Sequence, residues 1–460
     1  MKADMCTVHR SNAGQGVLVM KTLVVMRHGK AMPPAPGQQD IDRTLTEAGV
    51  YALEERLPRM LRLLETRGTA VQIWTSPAKR ARQTAELLEK ALEERGVEID
   101  EKMEAHECLW DQDVNAFLDE LRLSDAEFVF AVGHIPFAED VVEELTDSTP
   151  AFSTGALACL ELQLVHEDSP DTMAMQDKAK LLWFAQGPVA ADWDTLVQLQ
   201  KAITKTAEVI EDRRAAFFAD PKDIETIHCF RTNIRTLRSL IAFIKPWQDK
   251  EENAEVQALL KEIVGYTSLQ RELDVFEKQA RSNPDSSPEL LAFCKKEAAT
   301  ERAEVLKTLD SKQVTKAFER AMELAKDITW RKRYRRYGLP RDVVRARFDA
   351  MIESVKAGLA VLKLSDAEQT HDVRKRAKRG RYVSEFNVGI LGEDAVEIAK
   401  GMMAHQDTLG DVCDARANIR LISEFLQRDL PEPVVWDLTL MRAKNETFLY
   451  SALKADEAKE

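Results

Sequence analysis

The sequence predicts an α/β domain with a mostly parallel sheet and flanking helices, followed by an all-α helical bundle with an internal pseudo-twofold repeat. Three observations carry this. Up to about residue 190, short apolar runs of strand character alternate with amphipathic helical stretches; beyond "QGPVAADWD" strand signals almost vanish; and one basic pattern occurs twice in the second half. With 460 residues the chain exceeds the size at which one core stops growing, so two domains are expected. The boundary falls near residues 187–195, which gives domains at 20–190 and 195–455.

In the first domain the order is "TLVVMRH", a helix over 47–64, "VQIWTS", a helix over 78–94, "FVFAVGH", a helix from Ala138, then "ALACLELQL" and "KLLWFA". Two of these strands end at a histidine and a third at a "TSP" turn. Ligands of open α/β sheets sit at the carboxyl ends of the strands, so these endings converge where chemistry is expected. Met20 directly precedes the first strand, so residues 1–19 read as a leader outside the fold or as a misassigned start. In the second domain, helix breaks are expected near Ala219–Pro221, Pro246, Ser282–Pro288, Gly338–Pro340, Leu364–Ser365 and Gly389–Gly392.

Composition excludes several classes. A 44% hydrophobic content with modest Gly and Pro is that of a folded soluble chain. A net charge of −13 argues against general nucleic-acid or membrane binding, but not against a local anion site. The six cysteines, Cys6, Cys108, Cys159, Cys229, Cys294 and Cys413, show no zinc-like or C-x-x-C spacing and read as reduced thiols of a cytoplasmic protein. "GVLVMKTLVVMRHG" is too short and too interrupted to span a bilayer.

Within that acidic average, basic residues are segregated. No acid occurs from Thr226 to Gln248, and Val373 to Ser384 holds six Lys or Arg and no acid. The two stretches share a histidine followed by basic residues three, seven and ten positions on: His228, Arg231, Arg235, Arg238 and His371, Arg374, Lys378, Arg381. At about 100° per residue these offsets fall within an arc of roughly 80°, so each set forms a row along one helix. Beside the first row runs the apolar stripe Ile227, Phe230, Ile234, Leu237, Ile241; beside the second runs Val373, Ala377, Gly380, Ser384, small enough for close helix approach. Solvated faces normally mix signs, so a one-sign row beside a core stripe calls for a compensating anion.

"LVVMRHGKA", with Arg27, His28 and Gly29, together with "DRTLTEAG", "TSPAKRARQTAELL" and "VGHIPFAED", resembles the histidine phosphatase superfamily, specifically its SixA-like phosphohistidine phosphatase branch. Phosphoryl transfer needs fixed cations around three equatorial oxygens and an in-line nucleophile. The resemblance implies that His28 is that nucleophile and that Arg27, Arg80 and His134 hold the phosphoryl oxygens. Glu107, in "AHECLW", is the candidate general acid. Larger branches of the superfamily place an acidic residue where it can protonate the leaving oxygen, and some carry an aspartate directly after the second histidine, where Ile135 stands here. Without a strong acid, leaving groups that depart readily are favoured, namely phosphohistidine or a phosphoanhydride rather than an alkyl phosphate ester. No metal and no cofactor is called for, since side chains supply the cations. Arg82 is expected in solvent, and Ser76 and Thr84 are expected to cap or pack.

The doubled basic helix resembles the conserved histidine α-helical domain (CHAD) over about residues 195–455, supported by "SLQRELDVF" and "LGDVCDARAN". Ser268, Glu272 and Cys413 depart from that family's pattern, and Arg271, Asp274 and Asp414 are expected to orient helices rather than bind ligand. The resemblance implies inorganic polyphosphate as partner, possible substrate and route to polyphosphate granules. "WRKRYRRYG" (330–338) reads as a secondary basic patch whose Trp330, Tyr334 and Tyr337 pack against neighbouring helices. The expected function is a phosphatase working through a phosphohistidine intermediate and joined to a polyphosphate-binding module, with a phosphohistidine-bearing protein as a further partner. The alternatives are a granule scaffold with a vestigial or regulatory phosphatase domain, and a nucleic-acid binder, which the missing interleaved aromatics disfavour.

Overall fold

A computed structural model describes residues 18–66, 68–100, 103–166, 173–175 and 178–457. The chain divides into two compact units. The first runs to Asp194 and includes Arg335–Gly338; the second comprises Thr195–Tyr334 and Leu339–Glu460.

The first unit holds strands β1 (Leu18–Arg27), β2 (Gln72–Thr75), β3 (Glu104–Ala105), β4 (Phe128–Gly133), β5 (Leu157–His166), β6 (Met173–Met175) and β7 (Lys180–Ala185). Its helices are α1 (Glu47–Met60), α2 (Lys79–Glu93), α3 (Glu107–Asp111), α4 (Val114–Leu123) and α5 (Phe137–Thr146). The sheet order is β3-β2-β4-β1-β5-β6, with β7 also on β5. The four strands from β3 to β1 run parallel, whereas β5 pairs antiparallel with β1, β6 and β7. The parallel part carries the strand ends singled out above; the antiparallel part closes the other side.

Alternation along β1 explains the layers. Leu23 and Val25 face a core shared with α4 and α5, while Val24 and Met26 face another packed by α1 and α2. A strand covered on both faces has to read as a continuous apolar run, as "TLVVM" does. Each such buried aliphatic side chain contributes about 1.5–3 kcal/mol. The strand starts earlier than the sequence suggested: Val19 and Met20 already pair with Leu164 and Gln163 of β5. The remaining residues of the 1–19 stretch, apart from Leu18, lie outside the described residues, as does Cys6.

The second unit is built from α6 (Ala190–Ala219, whose first turn counts with the first unit), α7 (Ile224–Ile244), α8 (Lys250–Gly265), α9 (Ser268–Ser282), α10 (Pro288–Asp310), α11 (Lys312–Lys326), the first residues of α12 (Lys332–Tyr337), α13 (Arg341–Ala360), α14 (Ala367–Phe386), α15 (Val388–Leu391), α16 (Asp394–Phe425) and α17 (Glu432–Glu457). The proline and glycine breaks fall between these helices, except that Gly389 lies within the short α15 and only Gly392 follows it. Other turns carry weaker punctuation: Ser311 caps α11 through Val314 N–H, and the α8–α9 turn contains neither Gly after Gly265 nor Pro. The apolar stripe of α7 is buried throughout. On α14, Val373, Ala377, Gly380 and Ser384 are buried, and a Cβ on Gly380 would meet Ile352 Cδ1 at 3.2 Å and Met402 Cγ at 3.4 Å. Among the described residues no helix is long and apolar enough to cross a membrane. Trp330 is buried, but Tyr337 is 55% exposed, so the expectation that this aromatic packs away is corrected.

Candidate functional site

Because β4 lies between β1 and β2, the carboxyl ends of these strands bring His28, His134 and Ser76 together. A pocket of about 300 Å³ opens there, lined by Arg27, His28, Asp40, Arg80, Trp110, Gln112, His134 and Ile135. His28 is fixed from several sides. Its backbone N–H donates to Gly133 O at 3.0 Å, and its Nδ1 lies 2.7 Å from Gly29 O. A carbonyl can only accept, so Nδ1 carries the proton and Nε2 keeps its lone pair toward the pocket. Gly29 is held in turn: its N–H donates to Thr84 Oγ1 at 3.0 Å, and that hydroxyl donates to Arg80 O at 2.7 Å. A Cβ at Gly29 would come within 2.5 Å of Leu53 Cδ1.

Arg80 is the electrostatic centre. Its Nε donates to His28 Nε2 at 3.2 Å, and its Nη2 lies 3.4 Å from His134 Nδ1. His134 Nε2 is 2.8 Å from Ser76 Oγ, which also accepts from Ala78 N–H at the start of α2. Ser76 thus does more than cap, since it orients the second histidine. The two imidazole rings are 5.1 Å apart, centroid to centroid.

Burial pushes the His28 pKa down to about 4, the Gly29 hydrogen bond opposing it and Arg80, Arg27 and Arg43 adding to it. Burial, then His28 and Arg80, push His134 down to about 3. Both rings are neutral near pH 7, as a nitrogen nucleophile requires. Arg27 donates from Nη1 to Phe152 O at 2.6 Å, while its buried Nε has no partner, a donor still available to an oxyanion.

Four of the five expected residues therefore line one pocket. Glu107 does not: it is exposed at the start of α3 and outside the lining. The carboxylate present there is Asp40, on a 3-10 turn after β1, with Trp110 and Gln112 from the α3 segment. Sequence reading missed all three. The αL conformation of Gln112, φ 59°, gave no sequence signal because the residue is not glycine. Arg82 is exposed, as expected.

In the second unit α7 and α14 contribute to one cavity of about 540 Å³ that also receives α9 and α16. His228, Arg231, Arg235, His371, Arg374, Lys378 and Arg381 line it. Arg238 does not: its Nε points to Gln257 Oε1 of α8, 3.4 Å away. Arg231 is 4% exposed, and its Nη1 donates to Val264 O at 3.0 Å and to Thr267 Oγ1. Burial, then Arg235 and Arg271, push its pKa down to about 9.

Lys378 is pushed down to about 8 by burial and by Arg374 and Arg235, and His228 and His371 are likewise lowered by burial and neighbouring cations. Arg271 and Asp414 line the cavity as well, with Asp414 at 3.6 Å from Arg374; Asp274 is turned away, ion-paired to Arg302 at 2.9 Å. Glu272 is taken up by Arg420. In all, nine basic side chains face two carboxylates, so the cavity carries an uncompensated positive field.

Two family models match the chain, one in each half. A family model described as histidine phosphatase superfamily (branch 1) matches residues 23–120, and one described as CHAD domain matches residues 201–423. Solved structures similar to the chain include the SixA protein of Agrobacterium tumefaciens, 25% identical over 36% of this chain and 97% of that one, TM-score 0.28. They also include the CHAD domain from the plant Ricinus communis, 20% identical over 56% and 92%, TM-score 0.44. A third is PptA from Streptomyces chartreusis, 14% identical over 57% and 97%, TM-score 0.40. No curated protein matches the chain. The protein thus joins a phosphatase-type α/β domain to a helical domain. The first is a histidine phosphatase superfamily domain and the second a CHAD domain.

Proposed function

We propose that the α/β domain hydrolyses phosphohistidine or phosphoanhydride bonds through a phosphoryl group carried transiently on His28 Nε2, and that the helical domain binds linear inorganic polyphosphate. The observation that carries the first part is the 2.7 Å bond from His28 Nδ1 to Gly29 O, which leaves the other ring nitrogen basic among Arg27, Arg80 and His134. Nε2 attacks phosphorus in line as the opposite bond, to the substrate's imidazole nitrogen or bridging phosphate oxygen, breaks; the leaving group departs with the bonding pair and takes any proton it needs from water, while the arginines neutralise charge on the equatorial oxygens. A water then attacks the same phosphorus, returning neutral His28 and releasing orthophosphate. With Glu107 exposed outside the pocket, the reaction relies on leaving groups that depart readily, which is why phosphohistidine and phosphoanhydride are preferred to alkyl esters.

The polyphosphate reading rests on the excess of nine basic side chains over two carboxylates. The cavity depresses the proton affinity of its own lysine and histidines, a penalty that a polyanion relieves. Nucleic acid fits less well, because among the described residues Tyr382 is the one aromatic in the lining. The test is direct competition at fixed salt between long-chain polyphosphate and single-stranded DNA of equal charge. Polyphosphate is expected to bind more tightly; equal affinities would refute a polyphosphate-specific cavity. In the cell this predicts association with polyphosphate granules, with long-chain polyphosphate acting as anchor, as substrate delivered to the other domain, or as both.

A further inference from the structure

We propose that Asp40 is a specificity-determining residue of the phosphoryl pocket, an internal anion that occupies Arg80 in the free protein and must be displaced by the incoming phosphoryl group. The inference rests on reading His28 and Arg80 as a phosphoryl site. Asp40 presents two oxygens to the Arg80 fork: its backbone carbonyl accepts from Nη1 at 2.6 Å, and its carboxylate Oδ2 accepts from Nη2 at 2.7 Å. This is the bidentate pattern in which a guanidinium holds two oxygens of a phosphoryl group. The third donor of that fork, Nε, is the one that contacts His28 Nε2. Nucleophile and phosphate-binding arginine are therefore both engaged before any substrate arrives.

The exchange is built to be easy. The Arg80 side chain is 7% exposed and Asp40 is 52% exposed, so the fixed cation belongs to the pocket and the carboxylate sits on its open side. The two carboxylate oxygens are divided between two arginines: Oδ2 is on Arg80, while Oδ1 accepts from Arg43 Nη1 at 2.6 Å. Arg43 is anchored independently, its Nε donating to Met32 O at 2.8 Å, and it does not line the pocket. Asp40 can release Arg80 and remain paired with Arg43. Every entering anion has to displace the carboxylate, so singly charged anions are disfavoured more than dianions, and the carboxylate returns to Arg80 in competition with the orthophosphate that is to leave. The expected effects are selection for the more highly charged group and faster product release.

Isothermal calorimetry on the full chain with sodium tungstate and with inorganic phosphate tests this. The basic cavity of the helical domain also takes anions, so the relevant heat is the component that Arg80→Gln abolishes. Asp40→Asn is expected to bind both anions several-fold to about tenfold more tightly in that component. Asp42→Asn is the charge-matched control: Asp42 pairs with Lys79 at 2.9 Å in the same turn and does not touch Arg80, and its affinity is expected to stay at the wild-type value. Arg43→Gln removes the alternative partner and is expected to weaken binding. Unchanged or weaker binding by Asp40→Asn overturns the proposal, as does an equal gain in Asp42→Asn. Because the readout is binding, a chain that binds tungstate as described and releases no phosphate refutes the hydrolase reading alone.

Discussion

His28 Nδ1 lies 2.7 Å from the carbonyl oxygen of its neighbour Gly29, and this one contact decides the chemistry of the ring. It fixes the tautomer and directs the lone pair of Nε2 at the pocket. Since burial and nearby arginines hold the His28 pKa near 4, the ring is neutral across the physiological range, the form that the proposed nucleophile requires.

The pH profile follows from that sign. The working form is the neutral ring, so activity is present above the folded-state pKa and lost as pH falls through it. kcat/KM is expected to stay flat from about pH 8 to pH 5 and to drop as pH approaches 4. A break near 6.5, the value of an unburied histidine, contradicts the geometry.

Thr84 tests the support of the site. Thr84→Val keeps the shape but removes the acceptor of the Gly29 N–H and the donor to Arg80 O. A buried unpaired N–H costs about 1–3 kcal/mol. Thermal melting is expected to show that loss, and kcat to fall with it because Gly29 no longer holds the His28 ring. A variant with wild-type melting and kcat would show the hydroxyl to be dispensable.

In the helical domain the two members of the doubled pattern that differ most are Lys378 and Arg238. Lys378 is in the cavity lining and Arg238 is outside it. Lys378→Gln is expected to weaken polyphosphate binding and lower the slope of log affinity against log salt by about one. Arg238→Gln is expected to leave the slope unchanged. Equal effects would mean that the whole row binds from the surface.

His228 and His371 give the cavity a pH dependence. Their pKa values lie below 6.5 because of burial and like charges, and a bound polyanion raises them, so binding takes up protons. Polyphosphate affinity is therefore expected to rise as pH falls from about 8 to 6, Lys378, held down to about 8, contributing at the upper end, and His228→Gln with His371→Gln to reduce the part of the rise nearest pH 6. Titration at the two pH values checks it.

The parts of this molecule that were legible in the sequence are those whose residue type and spacing are both constrained. His28, Arg80 and His134 sit at strand ends or a helix start, where an apolar run stops at a polar residue. The two basic rows show because 3.6-residue periodicity keeps them on one face and acids are absent. Asp40, Trp110 and Gln112 were not legible, because loop residues converge through tertiary geometry that carries no period. Arg238 and Arg381 occupy equivalent places in the pattern, yet Arg238 meets Gln257 while Arg381 meets Gln406, which itself lines the cavity. A one-helix reading cannot see which neighbour each will find. The antiparallel pairing of β5 was not read from the sequence, although its second half alternates buried Leu160, Leu162 and Leu164 with the less buried Glu161 and Gln163, as a strand with one solvated face does.

The most direct test of the account is orthophosphate release from phosphohistidine protein and from long-chain polyphosphate by the wild type and by His28→Ala, with polyphosphate binding followed in parallel. The account predicts release from at least one of these substrates by the wild type, its loss in His28→Ala, and unchanged polyphosphate binding in both. Release that survives in His28→Ala, or wild-type protein inert toward both substrates, would contradict it.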